Sequence, residues 1–441
     1  MTMLWRQAAA STVASAPVPT VRVSVDRIAA GGSGVGREES GRVVFVPRTA
    51  PGDVAEVAIS EERSRWARGF AVRFLERGSG WRQAPCLLYD RCGGCQVQHL
   101  DLGEQRRAKR GLVEDALRRI GGMDLRVPEL AVAGSEFRYR NRLTFSVGRS
   151  GRSPVVGFRR LNAPDVVLDV PTCLLAEPAI AAVWEGVRDV WQADAILPEG
   201  EDIRITLRGS AGGDVDLLIR GGAAVAPAAC ERLLAGVPEL IGCHHLRADG
   251  SLAHLAGEKT LEDRWQGIVF DLPADVFLQV NRTVSAAMDA WLDERAGDVA
   301  GMSILDLYAG VGARAIRWAG QGARVTAIEV SGAAVDAGSA ASSSVGAEVA
   351  FVADRVEQRI ASLLPADLVV VNPPRAGLSR RVSRALASGK ARSLAYVSCD
   401  PATLARDLAR LASGWDVRDV QPFDAFPQTA HVETIAWLDR R

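Results

Sequence analysis

Lysine is almost missing from this chain. Of its 53 basic residues in 441, only Lys109, Lys259 and Lys390 are lysines, and the rest are arginine. No apolar run approaches the ~18 residues that a bilayer-crossing helix needs, which excludes a helical membrane span. An even, regularly spaced cysteine set is also lacking. The seven cysteines disfavour a disulfide framework and point to a reducing, cytoplasmic setting. Net charge is zero, which for the whole chain argues against a nucleic-acid partner. The distribution reverses that argument: residues 61–160 hold 21 Arg or Lys against 11 Asp or Glu, so this stretch carries +10 and the remainder −10. Arginine forks match phosphate geometry, although a charge run can equally be a solvated face. Residues 1–18, rich in Ala, Ser and Pro, lack the apolar core of a secretory signal. They read as a flexible tail, with a cleaved targeting peptide as the alternative.

What is present describes an ordinary globular protein, 48% hydrophobic and 24% charged, and the length calls for two or three domains. Across 19–75, short β-like runs (21–29, 42–50, 54–60 and 66–76) are separated by turns, GGSGVG among them. That pattern predicts a small β-barrel of the kind that often binds oligonucleotides. Residues 105–122 predict an amphipathic helix ending at Gly121-Gly122. From 137 to 280 the pattern is mainly β, with one helix near 176–191. Beyond about 283, strands alternate with helices, which predicts a doubly wound α/β domain binding its ligand beyond the carboxyl ends of the strands. The expected divisions are 1–18, 19–75, 76–275 and 276–441.

The chemistry-bearing residues concentrate at predicted strand ends. Gly310-Val-Gly312 follows a strand and opens a helix, and Glu329 ends the next strand. Glycines there let backbone approach a ligand, and the acid can hold ribose hydroxyls. Nicotinamide and S-adenosylmethionine enzymes share that arrangement. Asp354 ends the third strand, within reach of an adenine or ribose edge. Asn372-Pro373-Pro374-Arg375 ends the fourth; the prolines make a stiff turn that presents Asn372 to a flat ring, an arrangement common in base methyltransferases. Arg375 reads as a solvated charge. Cys399 ends the fifth strand, with Asp400 suited to cap the next helix and Pro401 to its first position. A thiol beside a helix N-terminus is expected to have a lowered pKa, which suits a nucleophile; the alternative is a buried small hydrophobe. Glu433 can face the same cleft as its base, and His431 can orient or titrate. Upstream, Cys86, Cys92 and Cys95 supply three thiolates for zinc or a [4Fe–4S] cluster, with Cys173, Cys230 and Cys243 available as a fourth ligand.

Taken together, GxGVGR, VVFVPRTAPGD, the run CxxxxxCGGCQxQH, YRNR (139–142), VFLQVN (276–281), NPPRAGL, VSCDPATLARDL and HVET resemble the RNA (uracil-5)-methyltransferase family that makes 5-methyluridine. The resemblance spans about 19 to 441. It implies a TRAM/OB-like barrel, a central mainly-β iron–sulfur domain and a C-terminal Rossmann-like S-adenosylmethionine-dependent domain. It also implies a [4Fe–4S] cluster on Cys86, Cys92, Cys95 and Cys173. Cys399 would be the nucleophile and Glu433 the base. Gln279, Tyr308, Gly310, Glu329 and Asn372 would line the cofactor pocket, joined by Asp354. The chain departs from the family at Asn372, where Asp is frequent, and at Ala313, where a polar residue is common.

The implied reaction explains the need for a thiol and a base. Carbon 5 of uracil is too weak a nucleophile to take a sulfonium methyl unaided, and thiolate addition at carbon 6 concentrates electron density on carbon 5. A base then removes the carbon-5 proton. The partner is RNA, ribosomal 23S first and transfer RNA second, with the target uridine extruded from its stack; the expected enzyme is a monomer with no membrane contact. The competing expectations are a non-catalytic RNA-binding or assembly protein and a nicotinamide-dependent iron–sulfur oxidoreductase.

Overall fold

A computed structural model of the chain describes residues 19–150, 153–193, 202–223 and 225–441. The tail expected over 1–18 lies outside the described residues. Two compact units, Met1–Arg82 and Gln83–Arg441, make up the chain.

The first unit is a closed barrel of β1 (Thr20–Ile28), β2 (Gly34–Arg37), β3 (Val43–Val46), β4 (Val54–Glu62) and β5 (Trp66–Glu76), in the order β1-β2-β3-β5-β4. Alternate apolar residues turn inward, as the two-residue period of a strand requires, and Val23, Val25, Val44, Val46, Ala55 and Val57 form the core. One expectation is corrected here. The second half of GGSGVG is not turn but β2, because the strands approach too closely for a side chain: a Cβ on Gly36 would lie 2.0 Å from the Ser24 carbonyl oxygen. Glycine weakens the local strand signal at the position where pairing demands it.

In the second unit, α1 (Leu102–Arg119) precedes a seven-stranded sheet. Its strands are β6 (Arg142–Ser150), β7 (Ser153–Arg160), β8 (Ala163–Asp169), β9 (Arg204–Gly209), β10 (Val215–Arg220), β11 (Leu240–Leu246) and β12 (Leu252–Gly257), in the order β12-β11-β10-β9-β6-β7-β8. The sheet packs against two helices, α2 (Pro178–Ala193) and α3 (Pro227–Gly236), rather than the one expected. Ile180, Val183 and Trp184 of α2 and Cys230 and Leu233 of α3 share one core with Ile205, Leu207, Leu217 and Ile219. Being only 10 residues long, α3 offers too few turns for its periodicity to stand out from a strand-rich background. A hairpin, β13 (Leu261–Trp265) and β14 (Ile268–Leu272), follows.

The last 160 residues or so alternate as expected: α4 (Arg282–Ala296), β15 (Ser303–Leu307), α5 (Ala313–Gly320), β16 (Arg324–Glu329), α6 (Gly332–Ser344), β17 (Val349–Ala353), α7 (Val356–Leu363), β18 (Ala366–Val371), α8 (Arg380–Ser388), β19 (Ala391–Ser398), α9 (Pro401–Leu411), β20 (Trp415–Phe423) and β21 (Glu433–Arg440). The sheet order is β17-β16-β15-β18-β19-β21-β20. β15 to β19 are parallel, and β21 runs antiparallel between β19 and β20. The order reverses between β15 and β18, the switch point where such sheets open a crevice. The small residues of α6 have a packing reason: Trp265, Ile268 and Phe270 of the hairpin lie against Ala334, Ala337 and Ala341. No described helix is long and apolar enough to cross a membrane.

α1 belongs to the packing of this α/β region. Asp101 caps it by accepting from the Glu104 amide at 2.7 Å, and Val113, Ala116 and Leu117 join Leu404, Ala405 and Leu408 of α9 in one core. On the same helix Lys109, fully buried, donates to Asp424 Oδ1 at 2.6 Å and to the Phe426 carbonyl at 3.0 Å. Breaking a buried pair leaves a charge without water or partner. Lys109→Met should therefore cost about 3–5 kcal/mol in urea unfolding, and the double change Lys109→Met with Asp424→Leu should recover most of that loss.

Candidate active site

The ends of β15, β16, β18 and β19 and the start of β21 converge at the crevice. β15 delivers Tyr308, held at φ +62°, and the Gly310–Gly312 turn, whose glycines sit at φ +59° and +68°. That left-handed region is costly for a side chain. A Cβ on Gly312 would also strike the Phe351 ring at 2.6 Å, whereas one on Gly310 would point into open space, the nearest atom being the Phe277 carbonyl oxygen at 3.9 Å. The turn thus keeps an open backbone cradle under the segment that carries Gln279. That segment is tied down where the Gln279 carbonyl accepts from Asn141 Nδ2 at 2.9 Å.

β16 delivers Glu329. Its Oε2 accepts from the Gly310 amide at 3.0 Å, and its Oε1 from the amides of Val330 and Ser331 at 2.8 and 2.9 Å. The carboxylate therefore bridges two turns and faces the cradle. Asp354 lies beside it, its amide donating to the Glu329 carbonyl at 3.0 Å. The Asp354 carboxylate accepts from the Arg355 amide at 2.7 Å and pairs with Arg359 at 2.6 Å. These contacts hold it below the usual carboxylate range, the Arg355 amide first and the Arg359 guanidinium second. Asn372, at the end of β18, donates its amide to the Leu307 carbonyl at 3.2 Å, which fixes the NPPR turn next to the cradle.

Cys399 and Glu433 meet through strand direction. The β19–β21 ladder ends with Ser398 opposite Thr434; one step further places Cys399 and Glu433 together at the mouth of the crevice. Asp400 caps α9 by accepting from the Thr403 amide at 2.9 Å, with Pro401 in the first turn. The expected lowering of the thiol pKa is not found. Cys399 is pushed up by burial and by the Glu433 charge, and the Arg375 guanidinium pulls it only partly back. Glu433, 4% exposed, is itself raised to about 8 by burial, again opposed by Arg375. Near neutrality both groups therefore hold their protons, and Arg375 favours either anion. Sequence reasoning left Arg375 as a solvated charge; its signal was its place directly after the diproline. His431 is held below its ordinary pKa by loss of water and then by Arg375, Arg140 and Lys109.

A second site lies in the same unit. Cys86, Cys92, Cys95 and Cys173 all line one cavity of about 320 Å³, together with Arg140 and Phe277. Cys230 and Cys243, the other candidates for a fourth ligand, are instead buried in the core between α3 and β11. Burial pushes the Cys95 thiol up to about 12. Among the described residues, no three His, Cys, Asp or Glu side chains are drawn together tightly enough for a single metal ion.

Residues 355–441 match the tRNA (Uracil-5-)-methyltransferase family and residues 16–72 the TRAM domain. The chain is 33% identical to an uncharacterised RNA methyltransferase of Thermosynechococcus vestitus, over 95% of this chain and 98% of that one. It is also 33% identical to the 23S rRNA (uracil(1939)-C(5))-methyltransferase of Chromohalobacter salexigens, over 95% and 89%. The crystal structure of Pyrococcus abyssi tRNA (uracil-54, C5)-methyltransferase with S-adenosyl-L-homocysteine has the same fold, with a TM-score of 0.74 at 22% identity over 95% of this chain and all of that one.

The electrostatics of the crevice can be read by alkylation of Cys399, followed by mass spectrometry of its peptide against pH. The midpoint should lie above the ordinary thiol value of 9.0. Glu433→Gln should lower it by removing a nearby negative charge, and Arg375→Gln should raise it further. Glu433 also enters stability. Its folded pKa lies above the unfolded one, so its contribution is fully present below about 4.5, is lost as pH rises through about 8, and should vanish from the pH–stability curve of Glu433→Gln.

Proposed function

The chain belongs to the RNA (uracil-C5)-methyltransferase family and is an S-adenosylmethionine-dependent enzyme; on that premise we propose that Cys399 is its nucleophile and Glu433 its base. The observation that carries this reading is the antiparallel β21, which brings the carboxyl group to the thiol beside the glycine cradle. Family membership also sets aside the nicotinamide and the non-catalytic readings.

S-adenosylmethionine supplies an electrophilic methyl group. The open backbone at Gly310, the Glu329 carboxylate and the Gln279 segment would hold its ribose and amino-acid portions, with Tyr308 and Asn372 beside them, and Asp354 would hold the adenine end. Cys399, its proton lost to solvent, adds as thiolate to carbon 6 of the extruded uracil; the electron pair of the 5,6 double bond becomes an enolate, carbon 5 attacks the sulfonium methyl, and the methyl–sulfur bond breaks to leave S-adenosylhomocysteine. Glu433, as carboxylate, then removes the carbon-5 proton, and the pair left in that C–H bond reforms the double bond and expels the thiolate. Arg375 stabilises the anionic state of each group in turn. The raised pKa values follow from burial, which makes charge costly on either group.

We take the substrate to be ribosomal RNA rather than transfer RNA. The named relative acting on 23S rRNA covers nearly the whole chain at 33% identity, whereas the transfer RNA enzyme shares the fold at 22%. The work falls to a single chain in the cytoplasm, where unpaired cysteines persist. We also assign a [4Fe–4S] cluster to Cys86, Cys92, Cys95 and Cys173. Four thiolates around one cavity match the donor set of such a cluster. One zinc with Zn–S bonds of ~2.3 Å would need the thiols drawn into a tight tetrahedron. The cluster's role is structural, since methyl transfer needs no electron.

Cys399→Ala should abolish both methylation and the covalent RNA complex. Glu433→Gln should instead trap that complex on gels, and 5-fluorouridine RNA should trap the wild type, since fluorine cannot leave as a cation. Full activity in Cys399→Ala would sink the assignment, and 5-methyluridine mapping in cells with and without the gene identifies the RNA. Anaerobically purified protein should be brown, with about four iron and four sulfide per chain; colourless protein with one tightly bound zinc would overturn the cluster.

A further inference from the structure

Glu433 opens β21, and the nine residues before it form a loop, 424–432, that links β20 to β21. Six of its nine residues are buried, yet few of the loop's bonds are its own. Lys109 of α1 holds Asp424 and the Phe426 carbonyl. Asn281 Nδ2 donates to the Ala425 carbonyl at 3.0 Å, and the Tyr139 hydroxyl to the Pro427 carbonyl at 2.9 Å. Gln428 is the most heavily engaged. Its amide donates to Gln105 Oε1 at 2.9 Å, its side-chain oxygen accepts from Gln105 Nε2 at 3.0 Å, and its Nε2 donates to Glu136 at 2.8 Å. Its carbonyl accepts from the amides of Gln96 and Val97 at 3.2 and 3.1 Å. Gln96 Oε1 also accepts from the Ala430 amide, at 3.4 Å.

The backbone shows that this grip does work against a local preference. Gln428 sits at φ +71°, a conformation that disfavours a residue with a side chain and persists where surrounding contacts over-determine it. Gln105 is fully buried, and the bonds of its side chain go to the loop, apart from one to the Leu100 carbonyl.

We propose that Gln96, Gln105 and Gln428 form a clamp that sets the position of Glu433, and that Gln105 and Gln96 are therefore positioning residues for proton removal from carbon 5. The proposal rests on the assignment of Glu433 as the base. Because Gln96 directly follows Cys95, the clamp ties the wall of the four-cysteine cavity to the loop that precedes the base.

The step affected is specific. Adduct formation uses Cys399, just after β19, with which the clamp residues share none of the bonds named above; adduct release needs Glu433. Gln105→Met keeps the bulk and removes the bonds. In this variant kcat should fall on the order of 10- to 100-fold, the size expected of a small misplacement, with KM for RNA and affinity for S-adenosylhomocysteine unchanged. Covalent enzyme–RNA complex should accumulate on unmodified substrate. Gln105→Glu can mimic glutamine only while protonated, so its turnover relative to wild type should fall as pH rises. Gln96→Met should show the same signature more weakly, and it decides the matter by the same criteria if Gln105→Met fails to fold. Wild-type kcat without adduct in the folded variant overturns the clamp, as does loss of kcat in step with cofactor affinity and adduct formation. Glu433→Gln is the control. If it fails to accumulate adduct, the base assignment falls; if it accumulates adduct and Gln105→Met does not, the clamp alone falls.

Discussion

Everything at the crevice depends on one strand running the wrong way. Five parallel strands present their carboxyl ends to one edge of the sheet, so residues just after β15, β16, β18 and β19 gather there without further design. A parallel seventh strand would have sent its first residue to the opposite edge. Because β21 is antiparallel to β19, its first residue, Glu433, arrives beside the last position of β19 instead. The ladder that builds the sheet is thus also the device that pairs thiol with carboxyl.

Placing a carboxyl there has an electrostatic consequence. Glu433 is buried against apolar strands, and the thiol lies next to it, so both charged forms are disfavoured. The exposed Arg375 offsets this for whichever group ionises. A buried acid without a cation would stay protonated at every useful pH, and an acid fully paired with one would be too weak a base. The balance leaves Glu433 near 8, a value that suits the role of base proposed for it, since it can both hold and release a proton.

A carboxyl at the start of a strand is only as well placed as the loop before it. Here the loop is fixed by residues from α1, from the cysteine-bearing segment and from the start of the central sheet, rather than by its own turns. This explains why α1, although it precedes the central sheet in sequence, packs on α9. Its buried Lys109 and Gln105 anchor the same loop at two points. The central and C-terminal regions of Gln83–Arg441 are consequently one compact unit, with the four-cysteine cavity one residue removed from the clamp.

The alternation of strands and helices after residue 283, the barrel and the helix α1 were legible in the sequence because periods of 2 and 3.6 are local properties. So were the strand-end positions of Gly310, Glu329, Asn372 and Cys399, since a strand's end is marked by the turn chemistry beside it. β2 and α3 were not, because glycines and a short span erase the local signal. The direction of the Cys399 shift was misjudged for a different reason: a helix N-terminus is visible in sequence, whereas burial and the approach of Glu433 are not. Least legible were the long pairings. Gln105 and Gln428 stand 323 residues apart and Lys109 and Asp424 315 apart, and no pattern of spacing marks a glutamine or lysine as the partner of something so distant. The sequence by itself determined which chemistry was available, because thiol, carboxyl and glycine cradle are residue identities. Only the tertiary structure decided which charges face each other and what holds them, because desolvation and hydrogen bonding are set by what packs against a group, not by what precedes it in the chain.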